Sequence, residues 1–257
     1  MRHPLLRSLR VAPRLLWLAS ELALAVILFA VLVLPRRRAP GHTAQARWLQ
    51  RLCDRVLLVL GLELQVSGPI PSRGLLVCNH LSYLDIVVLG ATAPCVFVAK
   101  AEVRQWPVFG WLASLGGTLF LCREKRSDVA RMNGEIGRVL GSGSLVVLFP
   151  EGTTSDGREL LPFKSSLLEP ATAHPHGLSA GFIEYSLEDG SVADEVCYWR
   201  DMTLLPHLLN LLGKRRIEAR LSFARLRGSS TDRKQLAREL HSEVLRLKGD
   251  LSFSTIS

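Results

Sequence analysis

The chain of 257 residues is long enough for one substantial core, and its composition excludes several classes of protein. Charged residues make up only 21% and hydrophobic residues 48%, which excludes an intrinsically disordered chain. The five cysteines are odd in number and scattered, so a disulfide-stapled miniprotein is excluded and a reducing compartment is favoured. A net charge of +9 with a positive mean hydropathy of +0.21 indicates a chain that rests on anionic lipid.

The first predicted element is an apolar segment near the N-terminus. Leu15 to Leu34 is a 20-residue stretch interrupted by Ser20 and Glu21, and about 20 apolar residues cross the hydrocarbon core of a bilayer. Arginines flank it on both sides, so the positive-inside rule fixes no orientation. The segment is a poor signal peptide, because three arginines follow Val33-Leu34-Pro35. The sequence predicts a membrane anchor, as a simple span or as a re-entrant hairpin with both ends on the cytoplasmic side.

A second basic helix is predicted over Trp48 to Leu64. Its apolar residues recur at helical spacings, and Arg47, Arg51 and Arg55 fall four apart on another face. Such a helix lies in a membrane interface or packs on the core of its own domain, and the sequence leaves both open. The turn-forming residues 67–74 mark a boundary. We therefore predict an anchor and interfacial helix at 1–66 and a separate domain at 67–257.

Beyond the boundary, strands and helices alternate, which predicts an α/β domain with a largely parallel sheet flanked by helices. Four apolar runs are predicted to be strands: Leu75–Cys78, Val96–Ala99, Thr118–Leu121 and Leu145–Phe149. Helices are predicted between them at about 84–91, 104–114 and 127–140. A C-terminal helix is predicted to begin at Thr231 or Asp232, which are good capping residues.

The hexapeptide from His80 to Asp85 is the first candidate site. If His80 lies in the strand-to-helix turn and Ser82 caps the helix, Asp85 falls in the first turn and can accept a hydrogen bond from the imidazole. A carboxylate that fixes the imidazole tautomer leaves the other ring nitrogen as a general base. The alternative is that Ser82 and Asp85 form a capping pair that only starts the helix.

Two further polar segments follow predicted strands. Arg123 comes directly after an apolar strand, at the sheet edge where open α/β folds bind ligands, and its guanidinium suits a phosphate. The segment from Phe149 to Ser155 also follows a strand and offers a tight turn that contains Gly152. Taken singly, Arg123 reads as a surface charge and the second segment as a turn.

Together, these segments resemble the glycerolipid (lysophospholipid) acyltransferases. His80-x4-Asp85, Gly117-x-x-Phe120-x-x-Arg123 and the segment from Phe149 to Ser155 match the first three motif blocks of that family in order. The resemblance extends over about residues 74–166, with a family-like tail at 198–202. The fourth block is degraded, and Pro175 is its nearest match.

The resemblance implies an enzyme of phospholipid biosynthesis that transfers an acyl group from acyl-CoA or acyl carrier protein to the free hydroxyl of a lysolipid. His80 would be the general base and Asp85 would orient it, while Arg123, Glu151, Gly152 and the weaker candidate Lys164 would hold the acceptor. Lysophosphatidic acid is the default acceptor, and lyso-ornithine lipid is the alternative. The implied location is the bacterial inner membrane, with the active site on the cytoplasmic side. No cofactor is expected.

Other functional classes fit the residues less well. His174 and His176 are too few to form a metal site, so none is predicted. The basic stretch 213–248 has one aromatic residue, Phe223, which argues against a nucleic-acid surface. There is no G-x-S-x-G elbow for an acyl-enzyme route. A catalytically silent membrane scaffold is the remaining alternative, and the intact His80 argues against it.

Overall fold

The computed structural model describes residues 4–36, 42–122, 124–173, 177–226 and 230–254. The helices are α1 (Pro4–Leu28), α2 (Thr43–Leu60), α3 (Leu84–Thr92), α4 (Phe109–Leu115), α5 (Arg126–Gly141), α6 (Glu169–Ala173), α7 (Val192–Glu195), α8 (Leu204–Gly213) and α9 (Arg233–Ser254). The strands are β1 (Leu62–Ser67), β2 (Gly74–Cys78), β3 (Cys95–Lys100), β4 (Leu119–Leu121), β5 (Leu145–Leu148), β6 (Leu178–Leu187) and β7 (Ile217–Arg225). A π-helical turn, Phe29–Val33, and a short 3₁₀ turn, Leu34–Arg36, extend α1.

The seven strands form one sheet in the order β1-β7-β6-β2-β5-β3-β4. Every neighbouring pair is parallel except β6 with β7, which runs antiparallel. The predicted α/β class with a largely parallel sheet and an N-terminal apolar helix is therefore confirmed. The carboxyl ends of β2 and β5 lie side by side, so the segments that follow these two strands meet at one edge of the sheet.

Helices cover both faces of the sheet, which explains why its central strands are continuous apolar runs. In β2, Leu76 and Cys78 pack with α2, α3 and α8, whereas Leu75 and Val77 pack with α5 and α9 on the other face. All five residues of β2 are buried. A side chain that follows β2 therefore emerges from a rigid support that is packed on both sides.

The predicted strands match β2 to β5, but several other elements depart from the prediction. The helix predicted over 104–114 is wrong as one element, because Pro107 and Val108, whose φ is +63°, separate the 3₁₀ turn Ala101–Gln105 from α4. The helix predicted over Trp48 to Leu64 starts and ends earlier in the structure. Helix α2 ends at Leu60, Gly61 follows in the left-handed conformation, and β1 starts at Leu62. The strands β1, β6 and β7 and the helix α8 were not predicted.

Helix α1 lies against the α/β domain along one face. Ala25, Phe29 and Val33 are buried there, and the Phe29 ring meets the edge of Trp48 on α2 with centroids 5.1 Å apart. The buried Glu21 carboxylate pairs with Arg55 of α2. The opposite face of the same helical segment leaves a row of large apolar side chains exposed: Leu9, Leu15, Leu16, Trp17, Ile27, Val31, Leu32 and Leu34.

Helix α2 packs on the domain core as well as on α1. Trp48, Leu49 and Leu52 are buried, and the Trp48 indole N–H donates to the carbonyl of Ala25 at 2.7 Å. Its arginines lie on the outer side of the helix. Of the two alternatives left open, the structure shows the core-packed helix. The predicted division at residue 66 remains a prediction, and β1 is part of the same sheet as β2 to β7.

Candidate active site

His80 and Asp85 come together where β2 gives way to α3. His80 lies in the turn after β2, and Asp85 lies in the first turn of α3. The imidazole Nδ1 of His80 is 2.8 Å from Oδ2 of Asp85. Asp85 is fully buried, whereas the His80 side chain retains 19% of its exposure. The predicted geometry of the pair is confirmed: Nδ1 faces the Asp85 carboxylate, and Nε2 lies on the other side of the ring.

Asp85 accepts hydrogen bonds with both of its oxygens. Besides His80, its Oδ2 accepts the backbone N–H groups of Leu81 at 2.7 Å and Ser82 at 3.0 Å, while its Oδ1 accepts the hydroxyl of Tyr185 at 2.7 Å. The prediction that Ser82 caps α3 is wrong. The Ser82 hydroxyl is buried and has no hydrogen-bond partner among the described residues, and no side chain makes a capping hydrogen bond at Tyr83, the residue before α3.

The loop after β5 holds the backbone of His80 from both sides. The His80 N–H donates to Oε1 of Glu151 at 2.7 Å, and the His80 carbonyl accepts the N–H of Ser155 at 3.1 Å. The imidazole stacks on the ring of Phe149, with centroids 4.0 Å apart and planes 14° apart. Three residues of one loop therefore fix the position and the ring plane of His80.

Glu151 points into the protein rather than into open space. Its side chain is 3% exposed, and its second oxygen accepts the N–H of Leu161 at 3.0 Å. Burial raises the pKa of Glu151 to about 7, against the lowering effect of its two backbone hydrogen bonds and of Lys248. The negative charge of the nearby Asp85 acts in the same direction as burial. Glu151 is thus a buried carboxyl that titrates near neutral pH.

Two polar residues for which no role was predicted, Asn79 and Tyr185, also support the site. Asn79 uses its amide to bond both the N–H and the carbonyl of Ile183, at 2.8 and 2.9 Å, and so extends the pairing of β2 with β6. Tyr185, two residues further along β6, reaches Asp85. Tyr185 was not predicted as a site residue, because it stands in an apolar strand without any motif.

The other predicted site residues lie around this centre or outside the described residues. Gly152 is buried and adopts a φ of +77°, which allows the turn that returns its N–H to the carbonyl of Phe149. The side chain of Lys164 is exposed, while its N–H donates to the carbonyl of Pro150. Arg123 lies outside the described residues, as do residues 174–176 with both histidines and Pro175.

Comparison with known proteins identifies the family that the chain resembles. A family model described as Acyltransferase matches residues 63–180. The lyso-ornithine lipid O-acyltransferase of Rhizobium meliloti is 36% identical over 225 residues, which is 79% of this chain and 76% of that protein. The corresponding enzyme of Pseudomonas aeruginosa is 37% identical over 77% of this chain and 75% of its own length.

The chain belongs to the acyltransferase family. The 1-acyl-sn-glycerol-3-phosphate acyltransferase of Neisseria meningitidis is also similar, with 37% identity over 58% of this chain and 63% of that protein. The crystal structure of the 1-acyl-sn-glycerophosphate acyltransferase of Thermotoga maritima shares the fold. Its TM-score is 0.57 at 19% identity, covering 94% of this chain and 98% of that chain.

These findings confirm the predicted family and enzyme class: this protein is an O-acyltransferase. The roles of the individual site residues are not tested by the comparisons and stay predictions. Within the described residues, α1 and its π-helical extension are long and apolar enough to cross a membrane, from Leu9 to Val33, by length and composition. This length and composition support membrane association of the acyltransferase.

Proposed function

We propose that this acyltransferase moves a fatty acyl group from acyl-CoA or acyl carrier protein to the free hydroxyl of a lysolipid, with His80 as the general base. The observation that carries the proposal is the 2.8 Å contact between Nδ1 of His80 and the buried Asp85. Because Asp85 accepts from Nδ1, the proton-free nitrogen of the neutral imidazole is Nε2. Nε2 belongs to a ring that retains 19% of its exposure and that the rest of the site holds in place.

In the proposed reaction, Nε2 of His80 removes the proton from the acceptor hydroxyl as its oxygen attacks the thioester carbonyl. The carbon–sulfur bond of the tetrahedral intermediate then breaks, and the leaving thiolate takes the proton from the imidazolium. The products are the acylated lipid and the free thiol. Asp85 stabilises the imidazolium between the two steps, and a positioned base of this kind contributes about 10²–10⁴-fold to the rate.

For the acceptor, we propose lyso-ornithine lipid, with lysophosphatidic acid as the second candidate. Relatives named as lyso-ornithine lipid O-acyltransferases match 79% and 77% of this chain, whereas the Neisseria meningitidis relative named for 1-acyl-sn-glycerol-3-phosphate matches 58%. The similarity to the first group thus extends well beyond the motif region. Lysophosphatidic acid, the default from the motifs alone, retains the support of the Neisseria meningitidis relative.

The other predicted residues divide by their position. Arg123, which follows β4 by two residues in the sequence, is proposed to bind the anionic part of the acceptor headgroup, a carboxylate in one candidate and a phosphate in the other. Lys164 is exposed and can add a second positive charge. For Glu151, the buried contacts favour an action on the His80 backbone over a direct contact with the acceptor, and Gly152 forms the turn that follows Phe149. The Glu151→Gln variant separates this action from the predicted acceptor-binding role.

The enzyme is proposed to sit on one leaflet of the bacterial inner membrane, with α1 lying in the interface. One face of α1 is tied to the domain by the Glu21–Arg55 pair and by the Arg14 guanidinium, which donates to the carbonyl of Leu212. A helix held in this way is available to lipid only along its exposed apolar face, as in monotopic proteins. The arginines of α2 would add affinity for anionic lipid headgroups of about 1 kcal/mol each near the surface.

The experiment is steady-state kinetics of the purified enzyme in mixed micelles with both acceptors and both donors. We expect a higher kcat/KM for lyso-ornithine lipid, no activity for His80→Ala, and a raised acceptor KM for Arg123→Ala that Arg123→Lys restores in part. A strong preference for lysophosphatidic acid would reverse the assignment of the acceptor. Near-normal turnover by a folded His80→Ala enzyme would refute the general-base mechanism.

A further inference from the structure

Tyr185 occupies a position that no motif block identifies, directly beneath the catalytic pair. It lies on β6, 100 residues after Asp85, and its hydroxyl donates to Oδ1 of Asp85 at 2.7 Å. Oδ2 of Asp85 receives three hydrogen bonds from the segment 80–82, whereas Tyr185 gives the one hydrogen bond that the described residues supply to Oδ1. The two oxygens are therefore held by different parts of the chain.

The fold fixes this hydroxyl firmly. Strand β6 runs past the end of β2, where Ile183 is bound by the amide of Asn79. Tyr185 projects to the same side of the sheet as Ile183, and both pack in the core that α3 covers. Burial, and next the charge of Asp85, raise the pKa of Tyr185 well above its ordinary value. The phenol thus stays protonated and acts as a donor over the whole working pH range.

We propose that Tyr185 is a positioning residue of the acyl transfer, whose hydroxyl locks the Asp85 carboxylate with Oδ2 toward His80. A carboxylate held only at Oδ2 can rotate about its terminal torsion. The imidazole then no longer has a fixed hydrogen-bond partner that sets its orientation. The same hydrogen bond draws charge from the carboxylate, which moderates its hold on the imidazolium proton. This inference rests on the proposed general-base role of His80 and adds a residue through which it operates.

The test is Tyr185→Phe, which keeps the buried ring and removes the hydroxyl. We expect kcat to fall about tenfold, because a hydrogen bond to a charged group is lost, while the KM values for acceptor and donor change less than about twofold. The acid limb of the kcat profile should move to higher pH by about half a unit, because the carboxylate without its donor holds the imidazolium proton more tightly.

The ionisable groups that face Asp85 come from four parts of the chain: His80 and Cys78 at the end of β2, Tyr185 on β6, Glu151 after β5, and Cys197 before α8. Burial raises the pKa of Cys78 well above its ordinary value and that of Cys197 to about 12, so neither titrates in the working range. Glu151 does titrate in that range. The pH profiles with and without the Tyr185 hydroxyl are therefore also compared in the Glu151→Gln background.

Tyr83→Phe is the matched control, because the Tyr83 hydroxyl contacts Nδ1 of His207 at 2.9 Å instead of Asp85. It should leave the acid limb unmoved. Replacing Tyr185 with 3-fluorotyrosine, a stronger donor, should move the limb to lower pH, and this variant decides the question if Tyr185→Phe fails to fold. If the acid limb of the kcat profile stays at the wild-type pH in both Tyr185 variants, the inference is overturned. Activity in His80→Ala would instead refute the general-base function itself.

Discussion

Replacing Glu151 with Gln separates two roles that the same residue can have. As an acceptor ligand, Glu151 would contact the lipid headgroup, and its loss would raise the acceptor KM. As a positioning residue, it holds the His80 N–H with one oxygen and the Leu161 N–H with the other. A glutamine side chain has the same shape but only one acceptor oxygen, so one of the two N–H groups loses its partner.

The expected change in stability follows from the ionisation of Glu151. Burial raises its pKa from 4.5 to about 7. The folded protein thus holds a proton that the unfolded chain has already released, and the free energy of unfolding falls as the pH rises from 4.5 to 7. At about 1.4 kcal/mol per pH unit, this loss is about 3 kcal/mol. Glutamine cannot ionise, so the variant should equal wild type near pH 4.5 and be more stable by up to about 3 kcal/mol above pH 7.

The activity of Glu151→Gln should fall, although its stability above pH 7 should rise. With one backbone N–H released, the loop no longer fixes the His80 peptide, and we expect kcat to fall about tenfold because a displacement of the base by 1 Å is costly. The acceptor KM should stay within about twofold of wild type. The assays are thermal unfolding in detergent between pH 4.5 and 8, and kinetics at pH 8. Glu159→Gln, an exposed carboxylate on the same loop, is the matched control for the change in charge.

Two results would refute this reasoning. If the difference in melting temperature between wild type and Glu151→Gln does not vary with pH, Glu151 is not a buried carboxyl that ionises near neutrality. If the acceptor KM rises at least tenfold at unchanged kcat, the carboxylate contacts the lipid, as the motif resemblance implies. A parallel response in Glu159→Gln would show that only the net charge of the loop matters.

Three further predictions concern the catalytic pair, the membrane surface and the last helix. His80→Ala should abolish turnover and leave the enzyme folded, while Asp85→Asn should lower kcat about 10²-fold; circular dichroism alongside the kinetics checks both, and a turnover near wild type in either would contradict the dyad. Aspartate at both Leu16 of α1 and Val31 of its π-helical extension should weaken binding to anionic vesicles at least tenfold. Both side chains are exposed, and each contributes roughly 2 kcal/mol when it leaves water. The control is Leu245→Asp, which changes an exposed residue of α9 on the other face of the sheet. Equal losses of vesicle binding in a sedimentation assay would exclude α1 as the docking face. Asp232→Ala should lower the free energy of unfolding by about 1 kcal/mol, because Asp232 accepts the N–H of Gln235 at the start of α9, and Asp232→Asn should restore most of it in chemical denaturation.

The sequence predicted those elements whose signals are local. Strands β2, β3 and β5 are short apolar runs bounded by turn residues, and all three are buried on both faces. Strand β7 was missed because it alternates polar and apolar residues within the basic C-terminal stretch. It pairs with β1 across more than 140 residues of chain, which no local pattern can indicate.

The site was predicted as far as its motif blocks reach. The spacing of His80 and Asp85 sufficed because both lie on one turn after β2. The inward orientation of Glu151 was not predictable, because it depends on the backbone N–H groups of two distant segments. Tyr185 was missed for a similar reason, since its partner on α3 is brought near only by the pairing of β2 with β6.

The sequence left helix capping and a hydrogen bond to His80 as alternatives for Asp85, and the structure shows the hydrogen bond to His80 without a side-chain cap on α3. The backbone N–H groups of Leu81 and Ser82, just before α3, donate to the same oxygen that meets His80. Together with the hydroxyl of Tyr185, these N–H groups hold the carboxylate in the position from which it meets the imidazole. The five-residue separation of the two motif residues follows from this, because the strand must end, turn and begin a helix between them. It also explains why Asp85→Asn is the informative variant: its amide oxygen can still accept from the N–H groups, so the fold is retained while the charge that supports the base is lost.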